Sequence, residues 1–427
     1  MIAMLAFWLY SDFQAKAIIL ARSEPETFLG ISGVSGHLFS GAKFRELVLT
    51  PVAPAAAESS RSAFVSSGNG FSCNNWAVCT TIFEESEAVQ DVCRRLPEYC
   101  LVVVADKKGP DDYFISGGCT FVHLSVPAQE ELARMSTFAA QTPWNHFGRK
   151  NLGYLFAIAN GAETVWDFDD DNTLISSEYL LGNSEHDGML TLNTTTSYIN
   201  PYPLLGAEKF SWPRGLPLEG INNPATLPLA ELLQDTTVKY NRVGIVQSLA
   251  NVDPDVDAIY RLQRQLPFAF VGWTKRAKTL LVPPAVFVPF NAQATWFRTR
   301  EALWALYLPI SIHGRVADIW RSYIVERLFR QTGLYVAFAV EPLVRQNRNP
   351  HTYLADFDAE QDLYYKSGKL VEFLGGWSPS SSVFGEQVIE LYVRLYERGY
   401  VHGQDVRMIR LWIDELNKLN YKFPSKY

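Results

Sequence analysis

The residues best suited to chemistry are four carboxylates within five positions, Asp167, Asp169, Asp170 and Asp171, which we call the acid cluster. They form two overlapping Asp-x-Asp patterns, and in an extended chain this spacing places alternate carboxylates on one side. Carboxylate oxygens suit Mg²⁺ or Mn²⁺, ions that proteins usually bind through one or two carboxylates together with substrate phosphates. The cluster therefore predicts a metal site for a nucleotide diphosphate. The alternative is an acidic surface turn that caps a helix.

The elements before the acid cluster place it at the binding edge of a sheet. A helical pattern ends at the turn Gly161-Ala162, and a short apolar strand comes next and leads into the carboxylates. In open α/β sheets, ligands bind at the carboxyl ends of the strands. This order of helix, turn, strand and carboxylates favours the metal site over the surface turn.

Three polar residues, Arg149, Lys150 and Asn151, stand at the start of the helical stretch 147–161. Backbone N–H groups at a helix N-terminus favour anions, and Arg and Lys add positive charge. We expect these residues to contact the diphosphate or to orient the acid cluster. Taken alone, the same residues would be read as a solvated first turn.

A strand, a helix and a second strand are predicted at 76–81, 84–96 and 100–105. The second strand is almost continuously apolar, which is typical of a parallel strand buried on both faces. Such a βαβ unit is right-handed by default. Asp106 comes after the second strand, and it is either a contact for the ribose or base of a nucleotide or a turn residue.

The helical pattern after Gly314 carries Asp318 between Arg315 and Arg321. A carboxylate near a helix start that faces a cleft can act as a base or hold an acceptor hydroxyl. The alternative is an ion pair with one of the two arginines that stabilises the helix.

Two polar segments flank predicted strands farther along the chain. His351 ends the polar loop 345–351, beyond the predicted strand 334–340, and a histidine there can complete an octahedral metal site. A surface histidine in a loop is the alternative. Asp253 or Asp255 is predicted to cap the short helix that runs to Leu262.

Composition limits the classes of function. The chain has 427 residues, of which 48% are hydrophobic, so it can bury one large core or two smaller ones. The net charge is −7 and no basic block is present, which argues against a nucleic-acid partner.

All five cysteines lie between Cys73 and Cys119. No Cys-x-x-Cys pair is present, so a zinc site is not indicated. The odd number leaves at least one thiol unpaired within a monomer. Disulfides in a luminal domain and buried small thiols both remain open.

The N-terminal region has the composition of a tether. Residues 1–10 are apolar, but polar residues interrupt the segment directly after them, and a spanning helix needs roughly 20 apolar residues. We expect residues 1–20 to be a weak or truncated membrane anchor, or simply an apolar terminus, and residues 21–70 to be a linker or stem. The sequon at Asn193 matters if the chain enters the secretory pathway.

Several motifs in this order carry a family resemblance: 148–158, 169–172, 212–219, 253–258 and 318–321. In this combination the chain resembles the STELLO family of glycosyltransferase-like proteins, best known as plant Golgi proteins associated with cellulose synthase assembly. The acid cluster, the Pro-Asp-x-Asp-Ala stretch and the Asp-x-Trp element are similar, more weakly, to those of UDP-arabinopyranose mutases.

The resemblance implies an α/β fold of the GT-A type, with a mostly parallel central sheet flanked by helices over 71–345. A C-terminal helical extension over 346–427 would pack on this domain. It also implies a type II Golgi membrane protein, attached through its N-terminus, with a luminal catalytic domain.

The resemblance also assigns roles to residues. Asp169 and Asp171 would bind Mn²⁺ or Mg²⁺, with Asp167 and Asp170 as neighbours, and His351 matches a C-terminal histidine ligand only loosely. Asp318 falls where such enzymes often place the acid that activates the acceptor.

We therefore expect a metal-dependent glycosyltransferase that moves a sugar from a nucleotide sugar, a UDP-sugar above all, to a glycan or protein acceptor in the Golgi. One alternative is a non-catalytic scaffold of the same fold that assists assembly of polysaccharide (cellulose) synthase subunits. Another is a UDP-sugar mutase.

Overall fold

The computed structural model describes residues 62–65, 72–181, 188–208, 211–227, 233–270, 277–348 and 352–425. All of them lie in one compact unit that spans Val52–Tyr427. The predicted anchor at 1–20 and most of the predicted stem at 21–70 lie outside the described residues. Within 62–65, Phe64 is buried. The packed region therefore begins earlier than the predicted start near Phe71.

The strands of the described chain are β1 Asn75–Thr80, β2 Tyr99–Val104, β3 Thr120–Leu124, β4 Thr164–Phe168, β5 Asn172–Leu174, β6 Met189–Leu192, β7 Leu233–Asp235, β8 Val243–Gln247, β9 Ala250–Asn251, β10 Thr279–Leu281, β11 Ala294–Phe297, β12 Tyr335–Ala339 and β13 Val344–Gln346. Ten of them form one sheet in the order β3-β2-β1-β4-β11-β8-β12-β10-β6-β7. The other three form a second sheet in the order β5-β13-β9.

The helices of the described chain are α1 Glu87–Arg95, α2 Val126–Met135, α3 Thr137–Gln141, α4 Lys150–Ala159, α5 Ala258–Arg261, α6 Gly314–Phe329, α7 Tyr353–Ala359, α8 Gln361–Gly376, α9 Phe384–Glu397 and α10 Gly403–Lys418. Short 3₁₀ turns connect some of them, including Phe147–Arg149 directly before α4 and Arg300–Leu306 after β11. The predicted α/β class, with a large central sheet flanked by helices, is confirmed.

Parallel pairing at one end of the large sheet agrees with the sequence prediction. β1 pairs in parallel with β2 and with β4, and β2 pairs in parallel with β3. Every residue of β2 is buried, as expected for a strand covered on both faces. Beyond β4 the sheet becomes mixed, because β11 runs antiparallel to both β4 and β8.

The helix ends show how local capping sets boundaries. Helix α1 begins at Glu87 rather than at the predicted Glu84, because the Ser86 side chain accepts the N–H of Val89 and caps it. The helical stretch after β3 is divided into α2 and α3, and Ser136 caps the second of these.

Helix α4 lies very close to the parallel strands. A Cβ atom at Gly153 would lie 2.7 Å from side-chain atoms of Val78 and Val104 and 3.0 Å from the side chain of Val102. Glycine is therefore required for this approach, which holds α4 against β1 and β2.

The polar loop predicted at 345–351 begins as a strand. β13 pairs with β5, which comes directly after the acid cluster, and with β9. The predicted domain boundary between 345 and 346 therefore falls inside a strand. Because β5 starts at Asn172, the small sheet fixes the backbone directly after the acid cluster.

Four of the five cysteines form two disulfides, Cys73–Cys100 and Cys93–Cys119. The remaining Cys79 is a buried thiol, in agreement with the odd number of cysteines. Of the four bonded cysteines, Cys100 lies in β2 and Cys93 in α1, while Cys73 and Cys119 come shortly before β1 and β3. Of the two alternatives that the sequence left open, disulfides apply to four residues and a buried thiol to one.

The C-terminal helices pack on the α/β unit, and α8 contacts α6. The Ser62 hydroxyl donates to Glu415 of α10 at 3.1 Å. Across the residues that the structure describes, no helix is both long and apolar enough to cross a bilayer.

Candidate active site

Strand β4 carries the acid cluster to the carboxyl edge of the sheet. The Asp169 N–H donates to the Gln293 carbonyl at 3.0 Å, and the Asn172 N–H donates to the Asp169 carbonyl at 3.1 Å. These bonds fold 169–172 into a turn that links β4 to β5. The four carboxylates therefore have different surroundings although they are almost adjacent in sequence.

Asp167 points into the protein interior. Its carboxylate is fully buried and accepts the Tyr154 hydroxyl at 2.7 Å. Lys150 Nζ lies 2.7 Å from one of its oxygens, and Arg321 donates to the other at 3.1 and 3.2 Å. Asp167, predicted as a neighbour of the metal ligands, is thus paired with two cations inside the core.

Lys150 lies beneath the acid cluster rather than on its surface. Its buried ammonium group donates to the carbonyls of Phe168 and Ala292 at 2.7 and 3.0 Å, and it lies 3.2 Å from Asp169 Oδ1. Burial alone would lower the pKa of Lys150, but Asp167 raises that pKa well above its usual range. Lys150 therefore remains a cation that partly neutralises the cluster, which matches the predicted orienting role more closely than direct contact with a diphosphate.

Asp169 is partly open to solvent, with 33% of its side chain exposed. Loss of hydration raises the pKa of Asp169 to about 7, Lys150 opposes this shift, and Asp171 and the other neighbouring carboxylates add to it. Close carboxylates repel one another, so a bound cation would relieve the repulsion.

Asp170 and Asp171 are each held by one or two polar neighbours. The Thr81 hydroxyl donates to Asp170, and burial raises the pKa of this carboxyl. Asp171 accepts the side-chain amides of Asn172 at 2.8 Å and Gln346 at 3.1 Å. Neutral hydrogen-bond donors therefore help to position both carboxylates.

A cleft of about 360 Å³ opens beside these two carboxylates. It is lined by residues 83–88, which come after β1, and by Asp170, Asp171, Thr173 and Asn347. Five of these described lining residues are Asp or Glu and none is Lys or Arg. Asp169 is not among them. The cleft is strongly negative, so an anionic ligand would need accompanying cations.

The side chains of the site could supply only part of the ligand set of a hard divalent cation. Within the described ranges, no three His, Cys, Asp or Glu side chains form a group that could hold a metal ion by themselves. Mg²⁺ is often held by one or two carboxylates, with water and substrate phosphate supplying the rest. Asp169 and Asp171 could supply such a partial set. His351, the predicted additional ligand, lies outside the described residues.

Arg149 is engaged away from the cleft. Its Nε donates to Gln129 at 2.7 Å and its Nη1 to the Thr142 carbonyl at 2.8 Å, and its guanidinium lies 3.5 Å from the centre of the Trp144 ring. Burial lowers the pKa of Arg149 to about 10, and Asp106 opposes this shift. These contacts hold Arg149 in the framework, and its contact with a diphosphate stays a prediction.

Asn151 and Asp106 also make intramolecular contacts. The Asn151 side chain exchanges two hydrogen bonds of 2.8 Å with the backbone of Leu308. The buried Asp106 carboxylate accepts the N–H groups of Asn145 and His146 at 2.7 and 3.0 Å. These bonds hold Asp106 against the segment before α4, and its contact with a ribose or base stays a prediction.

Asp318 lies in the first half of α6 and binds an arginine that the sequence did not single out. Arg214 donates to both oxygens of Asp318 at 3.0 and 2.8 Å and to both oxygens of Asp255 at 2.6 and 2.9 Å. We call these three buried residues the Arg214 cluster. Burial would raise the pKa of Asp255, but Arg214 lowers it below its usual value.

The predicted helix cap at Asp253 or Asp255 is wrong. Asp257 caps α5, because its carboxylate accepts the N–H of Tyr260 at 2.7 Å. Asp253 and Asp255 are instead paired with arginines. Three acids at alternate positions could each have served as a cap, and only the long-range ion pairs decide between them.

Three contributors were missed by sequence reasoning: Arg214, Gln346 and Thr81. Thr81 comes directly after β1 at the carboxyl edge, which was an available signal. Arg214 stands between Pro213 and Gly215 in the 212–219 motif, whose sequence by itself indicates no role for the arginine. Gln346 gives no signal, because the polar composition of 345–351 is typical of a loop.

Comparison with known proteins supports the family resemblance. Residues 315–426 match the model of the STELLO glycosyltransferases. Over 367 residues the chain is 28% identical to "Probable glycosyltransferase STELLO1" and 27% identical to "Probable glycosyltransferase STELLO2", both of Arabidopsis thaliana. Each alignment covers 83% of this chain and 46% of the relative, so the chain spans about half the length of these relatives. The resemblance to the STELLO glycosyltransferases that the motifs predict is therefore confirmed over most of the chain.

Proposed function

We propose that the chain is a metal-dependent glycosyltransferase that binds a nucleotide sugar, with UDP as the nucleotide, in the cleft beside the acid cluster. One observation carries this proposal: half-buried carboxylates meet at the carboxyl edge of the sheet, and the described cleft lining has no Lys or Arg. Such a site disfavours a bare diphosphate and suits one that arrives with a divalent cation. The likeness to proteins described as probable glycosyltransferases supports the same reaction class.

Asp169 and Asp171 would hold Mn²⁺ or Mg²⁺, and His351 is kept as a further candidate ligand. When bound, the ion neutralises negative charge on the leaving diphosphate. Lys150 holds Asp169 from below, while Asn172 and Gln346 orient Asp171. The acceptor would be a glycan or a protein.

The binding test uses UDP and Mn²⁺ in titration calorimetry. Asp169→Asn and Asp171→Asn should each weaken Mn²⁺-dependent UDP binding at least about tenfold. Glu415→Gln is a matched control, because Glu415 is a buried carboxylate that accepts the Ser62 and Ser136 hydroxyls at 3.1 and 2.9 Å, far along the chain from the cleft residues. Wild-type affinity in both Asp variants would remove the metal site.

Activity is then measured with a panel of nucleotide sugars, by hydrolysis and by transfer. Product analysis with UDP-arabinopyranose separates transfer from a mutase reaction. Hydrolysis that needs Mn²⁺ or Mg²⁺ and is lost in Asp171→Asn supports the transferase.

We also propose a Golgi luminal location with attachment through the N-terminus. Two disulfides support an oxidising compartment. Asn193 is exposed just after β6, so a glycan can be attached there. In the native host, an N-glycosidase should increase the gel mobility of the wild-type chain and leave Asn193→Gln unchanged. A wild-type chain without glycan would count against this location.

A scaffold for polysaccharide synthase subunits is the second candidate. Large apolar side chains are exposed on the C-terminal helices, with Leu354 of α7 67% and Tyr365 of α8 72% exposed. The scaffold requires such groups to form a contiguous patch, because single exposed apolar side chains are common on soluble proteins. If wild-type protein binds no UDP at millimolar concentration with Mn²⁺ present, the scaffold is favoured over the enzyme.

A further inference from the structure

Residues 291–293 lie between Asp318 and the acid cluster. The Ala292 N–H donates to Asp318 Oδ2 at 3.3 Å, and the Ala292 carbonyl accepts from Lys150 Nζ at 3.0 Å. The next carbonyl, that of Gln293, accepts the Asp169 N–H at 3.0 Å. One short segment thus joins the Asp318 carboxylate to Lys150 and to the backbone of Asp169.

The Asp318 carboxylate is fully used by these and neighbouring contacts. Oδ1 accepts from Arg214 Nη1 at 3.0 Å and from the Ile319 N–H at 2.9 Å. Oδ2 accepts from Arg214 Nη2 at 2.8 Å and from Ala292. A carboxylate has about four lone-pair sites, so none remains for the hydroxyl of an acceptor unless the Arg214 pair opens.

Arg214 and its partners hold residues 291–293 from several directions. Asp255, the second carboxylate on Arg214, accepts the Asn291 side-chain amide at 2.7 Å. Arg321 donates to the Asn291 carbonyl at 2.9 Å while it pairs with Asp167. All of these groups are buried, so the segment has little freedom to move independently of the Arg214 cluster.

We propose that Asp318 and Arg214 are positioning residues, which fix residues 291–293 and through them the Lys150 ammonium group and the turn at Asp169. This assignment rests on the proposed function and replaces the role of Asp318 as the base that activates the acceptor. Asp318 acts on metal and diphosphate binding through Ala292, and it does not touch the reacting atoms.

The test uses Asp318→Asn and Arg214→Lys, with Glu415→Gln as the control. Asn keeps the volume of Asp but turns one acceptor oxygen into a donor, so the contact with Arg214 or Ala292 must be lost. Lys cannot make the paired bidentate contacts of Arg. Both variants should weaken Mn²⁺-dependent UDP binding at least about tenfold, and the control should leave it unchanged.

Hydrogen exchange of the ligand-free protein gives a readout that does not need UDP. Peptides that cover 164–172 should exchange faster in both variants than in wild type and control, because the Asp169 N–H is bonded to Gln293. If Arg214→Lys does not fold, Asp318→Asn supplies both measurements.

The outcomes distinguish the positioning role of Asp318 from the proposed function of the protein. Wild-type UDP affinity in Asp318→Asn with loss of turnover would identify Asp318 as the base and overturn the positioning role. Unchanged exchange over 164–172 would overturn it as well. A wild-type protein that fails to bind UDP would reject the proposed function, while the exchange experiment would still decide the positioning role.

Discussion

The acid cluster and the Arg214 cluster both contain aspartates, but the negative charge of these aspartates is balanced differently in the two clusters. In the Arg214 cluster, one guanidinium makes paired bonds to Asp255 and Asp318 inside the protein. In the acid cluster, Lys150 is shared between Asp167 and Asp169, and Asp170 and Asp171 line the cleft, where they accept hydrogen bonds from neutral side chains. As a consequence, the pKa values of the two sites shift in opposite directions: the pKa of Asp255 is lowered, and that of Asp169 is raised to about 7.

The difference shows which carboxylates are available to a ligand. A buried carboxylate with a full set of donors is part of the framework, and removing its partner leaves an isolated charge that is expensive to bury. A half-buried carboxylate among others of the same sign destabilises the free protein and is relieved by a cation. Sequence position does not tell framework carboxylates from available ones. Asp167 belongs to the framework, whereas Asp169, only two positions later, is available to a ligand.

The largest expected effect comes from removing the cation of the Arg214 cluster. Arg214→Ala leaves Asp255 and Asp318 buried without their partner, so we expect the free energy of unfolding to fall by about 3–5 kcal/mol. Denaturant titration measures this change. The control is Arg134→Ala, which breaks a pair with Glu131 in which both side chains are exposed, and it should cost about 1 kcal/mol or less. Equal losses in the two variants would show that burial does not distinguish them.

Removing a charge from the acid cluster should lower activity without lowering stability, in contrast to Arg214→Ala. Asp171→Asn keeps the shape of the side chain, and we expect nucleotide-sugar turnover to fall at least about tenfold, which is roughly 1.4 kcal/mol of transition-state stabilisation. The melting temperature should hold or rise, because repulsion with Asp169 and Asp170 is relieved. A fall in melting temperature with normal turnover would instead mark Asp171 as a structural cap.

The raised pKa of Asp169 predicts a pH-dependent gain from neutralising this residue. A folded-state pKa of about 7, above the ordinary 3.8, means that ionisation destabilises the fold progressively as pH rises between these values. Asp169→Asn in chelator should therefore stabilise the protein at pH 8 by about 1 kcal/mol, a modest figure because the group is partly solvated, and should have no such benefit near pH 4. Melting curves from pH 4 to pH 8 test this, and a gain that does not depend on pH would contradict it.

The smallest effect is expected from the neutral support of Asp171. Gln346→Ala removes one hydrogen bond of 3.1 Å to this carboxylate, so Mn²⁺-dependent UDP affinity should fall by about threefold to fivefold, or roughly 1 kcal/mol. Gln361→Ala serves as control, since its amide donates to the Phe357 carbonyl within one exposed helical turn. A loss as large as that of Asp171→Asn would mean that Gln346 has a further role.

Local pattern predicted the framework of the site well. β1 and β2 are expected from short apolar runs between turns, and their observed ends differ from the predicted ones by about one residue. A strand before the acid cluster is expected as well, and β4 is observed there. The position of the carboxylates at a strand end is expected from the same pattern. These features depend on neighbours within one element, which the sequence displays directly.

Long-range pairing was not predictable in the same way. Arg214 and Asp318 are 104 positions apart, and Lys150 and Ala292 are 142 apart, so no local period reports their contact. For the same reason the cap of α5 was assigned to the wrong acid, and the disulfide pairing could not be deduced from cysteine spacing alone. The distinction between framework carboxylates and available ones is therefore visible only in the folded chain.

The hydrogen bond between Ser62 and Glu415 means that the first and last parts of the described chain are neighbours in space. The Asn160 side chain also donates to the Phe64 carbonyl at 3.0 Å, so the leading segment is fastened at two points. A shortened version that starts after 65 would leave the Glu415 carboxylate without its Ser62 donor, and one that stops before 415 would free Ser62. Because the two ends lie together, a circularly permuted chain that joins them with a short linker and opens at an exposed loop should preserve the same architecture.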